Sequence, residues 1–151
     1  MVVISSFSEF EAFTGKEIGV SDYLQITQEQ ISKFADATLD HQWIHLDTER
    51  AERETPFKST IAHGYLSLSL VAGLGGQVYR IDKRSRGVNY GLNKVRFPSP
   101  VRVGSRLRGR FKLLEVEQLD GCMQSVWQMT LECEGLDKPV CVAESVLSMY
   151  L

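Results

Sequence analysis

Cysteine is scarce in this chain and badly spaced for chemistry. Cys122, Cys133 and Cys141 are odd in number, form no C-x-x-C pair and sit in or near alternating apolar stretches. That argues against a disulfide framework or a zinc knuckle and leaves them as reduced core residues. Long apolar runs are absent too. None approaches the roughly 20 residues that span a bilayer, and the amino-terminal Met1-Val-Val-Ile-Ser-Ser-Phe-Ser-Glu-Phe has no basic leader region. A membrane partner is therefore not expected, and the cytoplasm is the expected compartment. Nor does one sign of charge dominate: 17 lysines and arginines face 19 aspartates and glutamates, for a formal net charge of −2. Such a chain has no field for wholesale binding of nucleic acid through phosphates. With no internal repeat or low-complexity linker, residues 1–151 are expected to form one domain.

What is present reads as ordinary globular material, 43% hydrophobic and 24% charged. Thr27-Gln28-Glu29-Gln30 has the form of a capping box, and Ile26 with Ile31 that of a hydrophobic staple, which predicts a helix from Thr27 to about Leu39. Asp47 or Thr48 can cap a short second helix ending near Glu52 or Glu54, before Pro56. From Gly64 to Tyr79, Leu66, Leu70, Leu74 and Val78 recur every four residues, the stripe of a buried helix. Gly73, Gly75 and Gly76 within it are expected to admit surrounding backbone closely. After Arg86 the period falls to two. Leu107, Gly109, Phe111 and Leu113 alternate with Arg106, Arg108, Arg110 and Lys112, and Trp127, Met129, Leu131 and Cys133 with polar residues. Asp120-Gly121 reads as a hairpin turn, and a last strand runs from Val140 to about Met149. Helices first and antiparallel strands afterwards define an α+β domain, with the sheet wrapped around the segment 64–79.

Histidine is as scarce as cysteine but far more concentrated. His41, His45 and His63 are the only three, all between Asp40 and Gly64. Five residues apart, Asp40 and His45 share no face of a helix or a strand, so they meet only if the chain turns between them. That would put Asp40 at the end of the first helix and His45 in the following loop. Together an Asp and a neutral His can bind, deprotonate and reprotonate one water; the alternative is an exposed loop Asp and a structural His. A metal reading pairs His41 and His45, at i and i+4, with Asp40, Asp47 or His63, but no His-Glu-x-x-His pattern exists and no metal is expected. His63-Gly64 stands at the expected start of the long helix, where the N–H of Gly64 or Tyr65 points outward and can stabilise a developing oxyanion. One basic stretch stands out: Arg80, Lys83, Arg84, Arg86, Lys94, Arg96, Arg102, Arg106, Arg108, Arg110 and Lys112 against Asp82 alone. It is either a solvated strand face or an attraction for a phosphate-bearing small molecule.

Four segments in order, Phe34-Ala-Asp-Ala-Thr-Leu-Asp-His-Gln-Trp-Ile-His-Leu-Asp47, Ile61-Ala-His-Gly-Tyr-Leu-Ser-Leu68, Asn89-Tyr-Gly-Leu-Asn-Lys-Val-Arg-Phe97 and Val142-Ala-Glu-Ser145, give the chain its resemblance to a known family. It resembles the MaoC-like, (R)-specific enoyl-CoA hydratases of the hot-dog fold, in particular the single-domain, nodulation-protein-N-like members. The resemblance implies Asp40 and His45 as the acid/base pair and the Gly64 backbone as donor to the thioester carbonyl. It implies reversible addition of water to trans-2-enoyl-CoA to give (R)-3-hydroxyacyl-CoA, with no metal or redox cofactor and coenzyme A present only as part of the substrate. It also implies a homodimer with the acyl-CoA thioester at the subunit boundary, where Lys94 and Arg96 are candidates for the CoA phosphates.

Two departures from the family pattern stand out. Gln42 and Trp43 replace the Asn-Pro of the Asp-x-Asn-Pro-x-His motif, so that an orienting amide role passes to Gln42, beside His63 as a second site-orienting residue. Ala72 stands where some members carry a Ser that holds the catalytic loop, so loop support must come from elsewhere. These departures motivate a non-catalytic acyl-CoA-binding module as one alternative; a hot-dog acyl-CoA thioesterase is another, against which the retained Asp-x4-His spacing argues, whereas His41 reads as a bystander.

Overall fold

The computed structural model describes residues 1–82 and 86–150. Lys83 and Arg84, members of the basic run, and Leu151 lie outside them. The chain begins with strand β1 (Val2–Ile4) and a short helix α1 (Phe7–Glu11). This helix starts at Ser6, whose hydroxyl accepts the Glu9 N–H; the Ser-x-x-Glu spacing was the available signal. Strands β2 (Glu17–Val20) and β3 (Leu24–Gln25) follow. Helix α2 (Gln28–Thr38) carries the expected capping box between Thr27 and Gln30 and buries Ile31 and Ala35, with Ile26 buried just ahead of it.

The next segment corrects one expectation. His45 does not lie in a loop: Trp43–Leu46 form a one-turn helix, α3, in which the Asp47 N–H donates to the Trp43 carbonyl. The Asp47 side chain then caps α4 (Thr48–Glu54), and that helix ends at Thr55, whose N–H and hydroxyl both donate to Ala51 O.

Helix α5 (Gly64–Val78) is the longest helix and leads directly into β4 (Tyr79–Ile81), which pairs in parallel with β1. The remaining strands are β5 (Arg86–Arg96), β6 (Arg106–Leu119), β7 (Cys122–Cys133) and β8 (Cys141–Tyr150). They form one antiparallel sheet in the order β2-β6-β7-β8-β5, with β3 also on β6. Gly121, at φ +79°, closes the β6–β7 hairpin in the left-handed conformation that glycine adopts without a Cβ clash.

This is the hot-dog arrangement, an antiparallel sheet around a central helix. Its core is made by the inward set of the alternating strands: Leu107, Phe111, Leu113, Trp127, Met129 and Leu131 pack with Leu66, Leu74 and Val78 of α5. Tyr79 stacks on Trp127 at 4.4 Å. Gly75 works differently from expectation: a Cβ there would stand 3.2 Å from the Phe111 ring, so the close approach is by a side chain and not by backbone, while Gly73 and Gly76 meet nothing. Cys133 and Cys141 are buried, Cys122 is partly so, and all three are free. The outward set carries ion pairs: Arg108 and Arg110 share Glu132, Arg110 also meets Glu17, and Arg106 meets Glu134. Three members of the basic run, Arg106, Arg108 and Arg110, are thereby paired on the sheet surface. No helix among the described residues is long and apolar enough to cross a membrane.

Candidate active site

Asp40 reaches the site through a backbone device. Leu39, the C-cap of α2, sits at φ 64° in the left-handed region, which costs a non-glycine residue roughly 1–2 kcal/mol and turns the chain sharply out of the helix. The Asp40 carbonyl then accepts the Nε2–H of His63 at 3.0 Å, and the Gln42 main-chain N–H donates to Asp40 Oδ1 at 3.3 Å. Its carboxylate remains half exposed, within reach of solvent and substrate.

His45 is held from several directions. Its N–H donates to Gln42 O, its Nδ1 donates to the Ile61 carbonyl at 2.7 Å, and its own carbonyl accepts the Gln28 Nε2–H at 2.8 Å. Because a carbonyl can only accept, the hydrogen is on Nδ1 and the lone pair is on Nε2. Burial pushes the imidazole below its ordinary value and His63 acts in the same direction, against the opposing bond to Ile61 and the charge of Asp40. The ring is therefore a neutral base at neutral pH.

One oxygen of Asp40 and one ring nitrogen each of His45 and His63 lie within 4.8 Å of one another. That span suits a single water hydrogen-bonded to Asp40 and His45 together. The metal alternative loses its expected pair, because His41 turns away to Asp36 at 2.9 Å on the surface. Of the three that do converge, His63 Nε2 is already committed as a donor to Asp40 O.

His63 is the N-cap residue of α5 by position but makes no side-chain cap bond. Instead its ring stacks on His45 and also packs against Phe34 at 5.0 Å. Gly64 opens α5, where its N–H has no intrahelical acceptor. It borders a cleft of about 360 Å³ lined by His45, Ser67, Phe97 and Val101 among others. A larger cavity of about 620 Å³ lies between α5 and β5, lined by Leu68, Val71, Ala72, Val88, Leu92 and Leu147 among others.

The other expected residues separate here. Gln42 contributes main-chain bonds to Asp40 and His45, and its side chain makes no cap bond. Lys94 and Arg96 are exposed on β5: Lys94 is in register with Glu144, and Arg96 caps the Val95 carbonyl. Neither lines the cleft at His45. Ala72 borders the larger cavity. Sequence reasoning passed over Phe97 and Ser67 as cleft walls, and over Gln28 and Thr60, whose hydroxyl donates to Gln28 Oε1 at 2.6 Å. No motif marks these four, although Phe97 and Ser67 fall inside segments that carry the family resemblance.

Residues 9–133 match the profile of the MaoC like domain. The 3-hydroxyacyl-thioester dehydratase Z of Mycobacterium tuberculosis is 49% identical over 148 residues, 97% of either chain. Nodulation protein N of Rhizobium leguminosarum bv. viciae is 42% identical over 140 residues, 91% of this chain and 87% of that one. Among solved structures, the monoamine oxidase regulatory protein from Archaeoglobus fulgius is similar with a TM-score of 0.79 at 21% identity, over 98% of this chain and 95% of that one. At that identity the likeness is one of fold.

Proposed function

Because the chain belongs to the MaoC-like domain family and is a hydratase/dehydratase enzyme, we propose that it is an (R)-specific enoyl-CoA hydratase. It adds water to trans-2-enoyl-CoA to give (R)-3-hydroxyacyl-CoA and catalyses the reverse dehydration. The observation that carries this reading is the convergence of the Asp40 carboxylate and the His45 imidazole beside the first amide of α5. A water between them donates its hydrogens to Asp40 and to His45 Nε2. The Gly64 N–H donates to the thioester oxygen, which makes C3 electrophilic. As the water oxygen bonds to C3, one proton passes to His45 Nε2, and from there to C2, while the other stays on the new hydroxyl. Gln42 and His63 orient the site, and neither a metal nor a redox cofactor enters.

Residues 1–151 act as one domain in a cytoplasmic homodimer. Support for the dimer lies at the edge of the sheet, where β5 exposes Val88, Tyr90 and Leu92 beyond what an isolated edge strand tolerates. CoA then lies at the subunit boundary, with Lys94 and Arg96 toward its phosphates.

The test is incubation with crotonyl-CoA while both the enoyl absorbance and free thiol are followed. Loss of the double bond without thiol is the expected result. Thiol release would make the protein a thioesterase, and CoA-ester binding with neither change would make it a binding module.

A further inference from the structure

Helix α2 and the segment before α5 are joined by one side chain at the back of the proposed dyad. Gln28, the first residue of α2, is partly buried. Its Nε2 lies 2.8 Å from the His45 carbonyl and its Oε1 2.6 Å from the Thr60 hydroxyl. Both ends of the amide are determined by chemistry: a carbonyl can only accept, so Nε2 faces His45, and Oε1 must then accept the hydroxyl hydrogen. Thr60 is 1% exposed and precedes Ile61, whose carbonyl receives the His45 Nδ1–H.

The segment carrying those acceptors is itself held. Val103 N donates to Thr60 O, Ala62 N donates to Val101 O, and Ile61 N donates to Ile44 O. Gln28 thus closes a ring of bonds: α2 to the His45 main chain, the His45 ring to Ile61, and Thr60 back to Gln28. The ring fixes where the imidazole stands and which nitrogen carries its hydrogen. Ala72 offers no hydroxyl for this task.

We propose that Gln28 and Thr60 are positioning residues for His45, the loop support that Ala72 does not supply. The inference rests on the Asp40/His45 reading and extends it to two residues with no contact to the reacting atoms. Displacement of a catalytic group by about 1 Å can cost up to roughly a hundredfold in rate, so a partly buried amide behind the imidazole has leverage.

Gln28→Glu is the sharpest variant. It keeps an acceptor for Thr60, replaces the donor to His45 O with a repelling oxygen, and puts a negative charge at the first helical position, which the helix dipole favours. Thr60→Val removes only the hydroxyl, and Thr60→Ser restores it. With crotonyl-CoA, Gln28→Glu and Thr60→Val are expected to lower kcat at least about tenfold with KM within about twofold. Thr60→Ser should stay near wild type, and the double variant should be no worse than Gln28→Glu alone. The 15N shifts of the His45 ring should move away from the Nδ1–H form in Gln28→Glu, while the melting temperature stays close to wild type. Wild-type kcat together with unchanged ring shifts would overturn the proposal, as would losses that follow KM or the melting temperature. If wild-type protein fails to hydrate crotonyl-CoA, or His45→Gln retains activity, the dyad reading fails instead; the ring shifts still judge the positioning.

Discussion

The imidazole of His45 lies face to face with that of His63, ring centroids 3.7 Å apart and planes 24° from parallel. Both rings are buried, so a proton on His45 sets its charge beside the neighbouring ring, away from water. The pair serves different ends: His45 turns its lone pair to the site, and His63 spends its N–H on the carbonyl of Asp40. His63 Nδ1, buried, has no hydrogen-bond partner among the described residues.

The first prediction concerns pH. His45 sits below the ordinary imidazole value because it is buried, with His63 adding to that effect and Asp40 opposing it. The acid limb of kcat/KM is therefore expected below about pH 6.5, the unperturbed imidazole pKa. Stability follows the same sign. Between the two values the unfolded chain holds a proton that the native His45 does not, so stability falls as pH drops from the unfolded value toward the native one, and levels off below it. An acid limb above the ordinary imidazole range would reject His45 as the neutral base.

Removing either member of the dyad should silence hydration without unfolding the protein. Asp40→Asn and His45→Gln are each expected to lower the rate on crotonyl-CoA by roughly a hundredfold or more, with an unchanged circular dichroism spectrum. Near-full activity in either variant would remove that residue from the mechanism.

Gly64 and Phe97 form a steric pair. A Cβ on Gly64 would stand 3.2 Å from the Phe97 ring, closer than a comfortable contact. Gly64→Ala keeps the backbone N–H but presses on that ring, and it should lower kcat/KM by about tenfold, in line with a small misplacement at the reacting centre. Adding Phe97→Leu should recover most of the loss. If the second substitution recovers nothing, the pressure on Phe97 is not the cause.

Lys94 and Arg96 are tested together because both are exposed on β5. Replacing both with Ala should raise KM for CoA substrates with little change in kcat, and the difference should shrink as salt screens the charges. Unchanged kinetics at low salt would reject a role in binding the CoA phosphates.

Much of the fold was legible in local chemistry. The Thr27–Gln30 capping box, the period-two strands around Phe111 and Trp127 and the Gly121 turn depend on neighbours in sequence, and each stands where expected. The N-terminal elements were less legible: α1 spans five residues and β3 two, too short for a periodic pattern to register. Of the site, the sequence by itself determined the chemical inventory, namely Asp40, three histidines close together and Gly64 ahead of a long apolar helix. Only the tertiary structure decided where each of them stands. It sent His41 out to Asp36, turned Trp43–Leu46 into a helical turn, stacked His63 on His45, and backed the imidazole with Gln28 and Thr60. The physical reason is distance along the chain: Gln28, His45 and Thr60 are joined by part-buried hydrogen bonds whose partners lie 17 and 32 residues apart, and no local periodicity records such pairs.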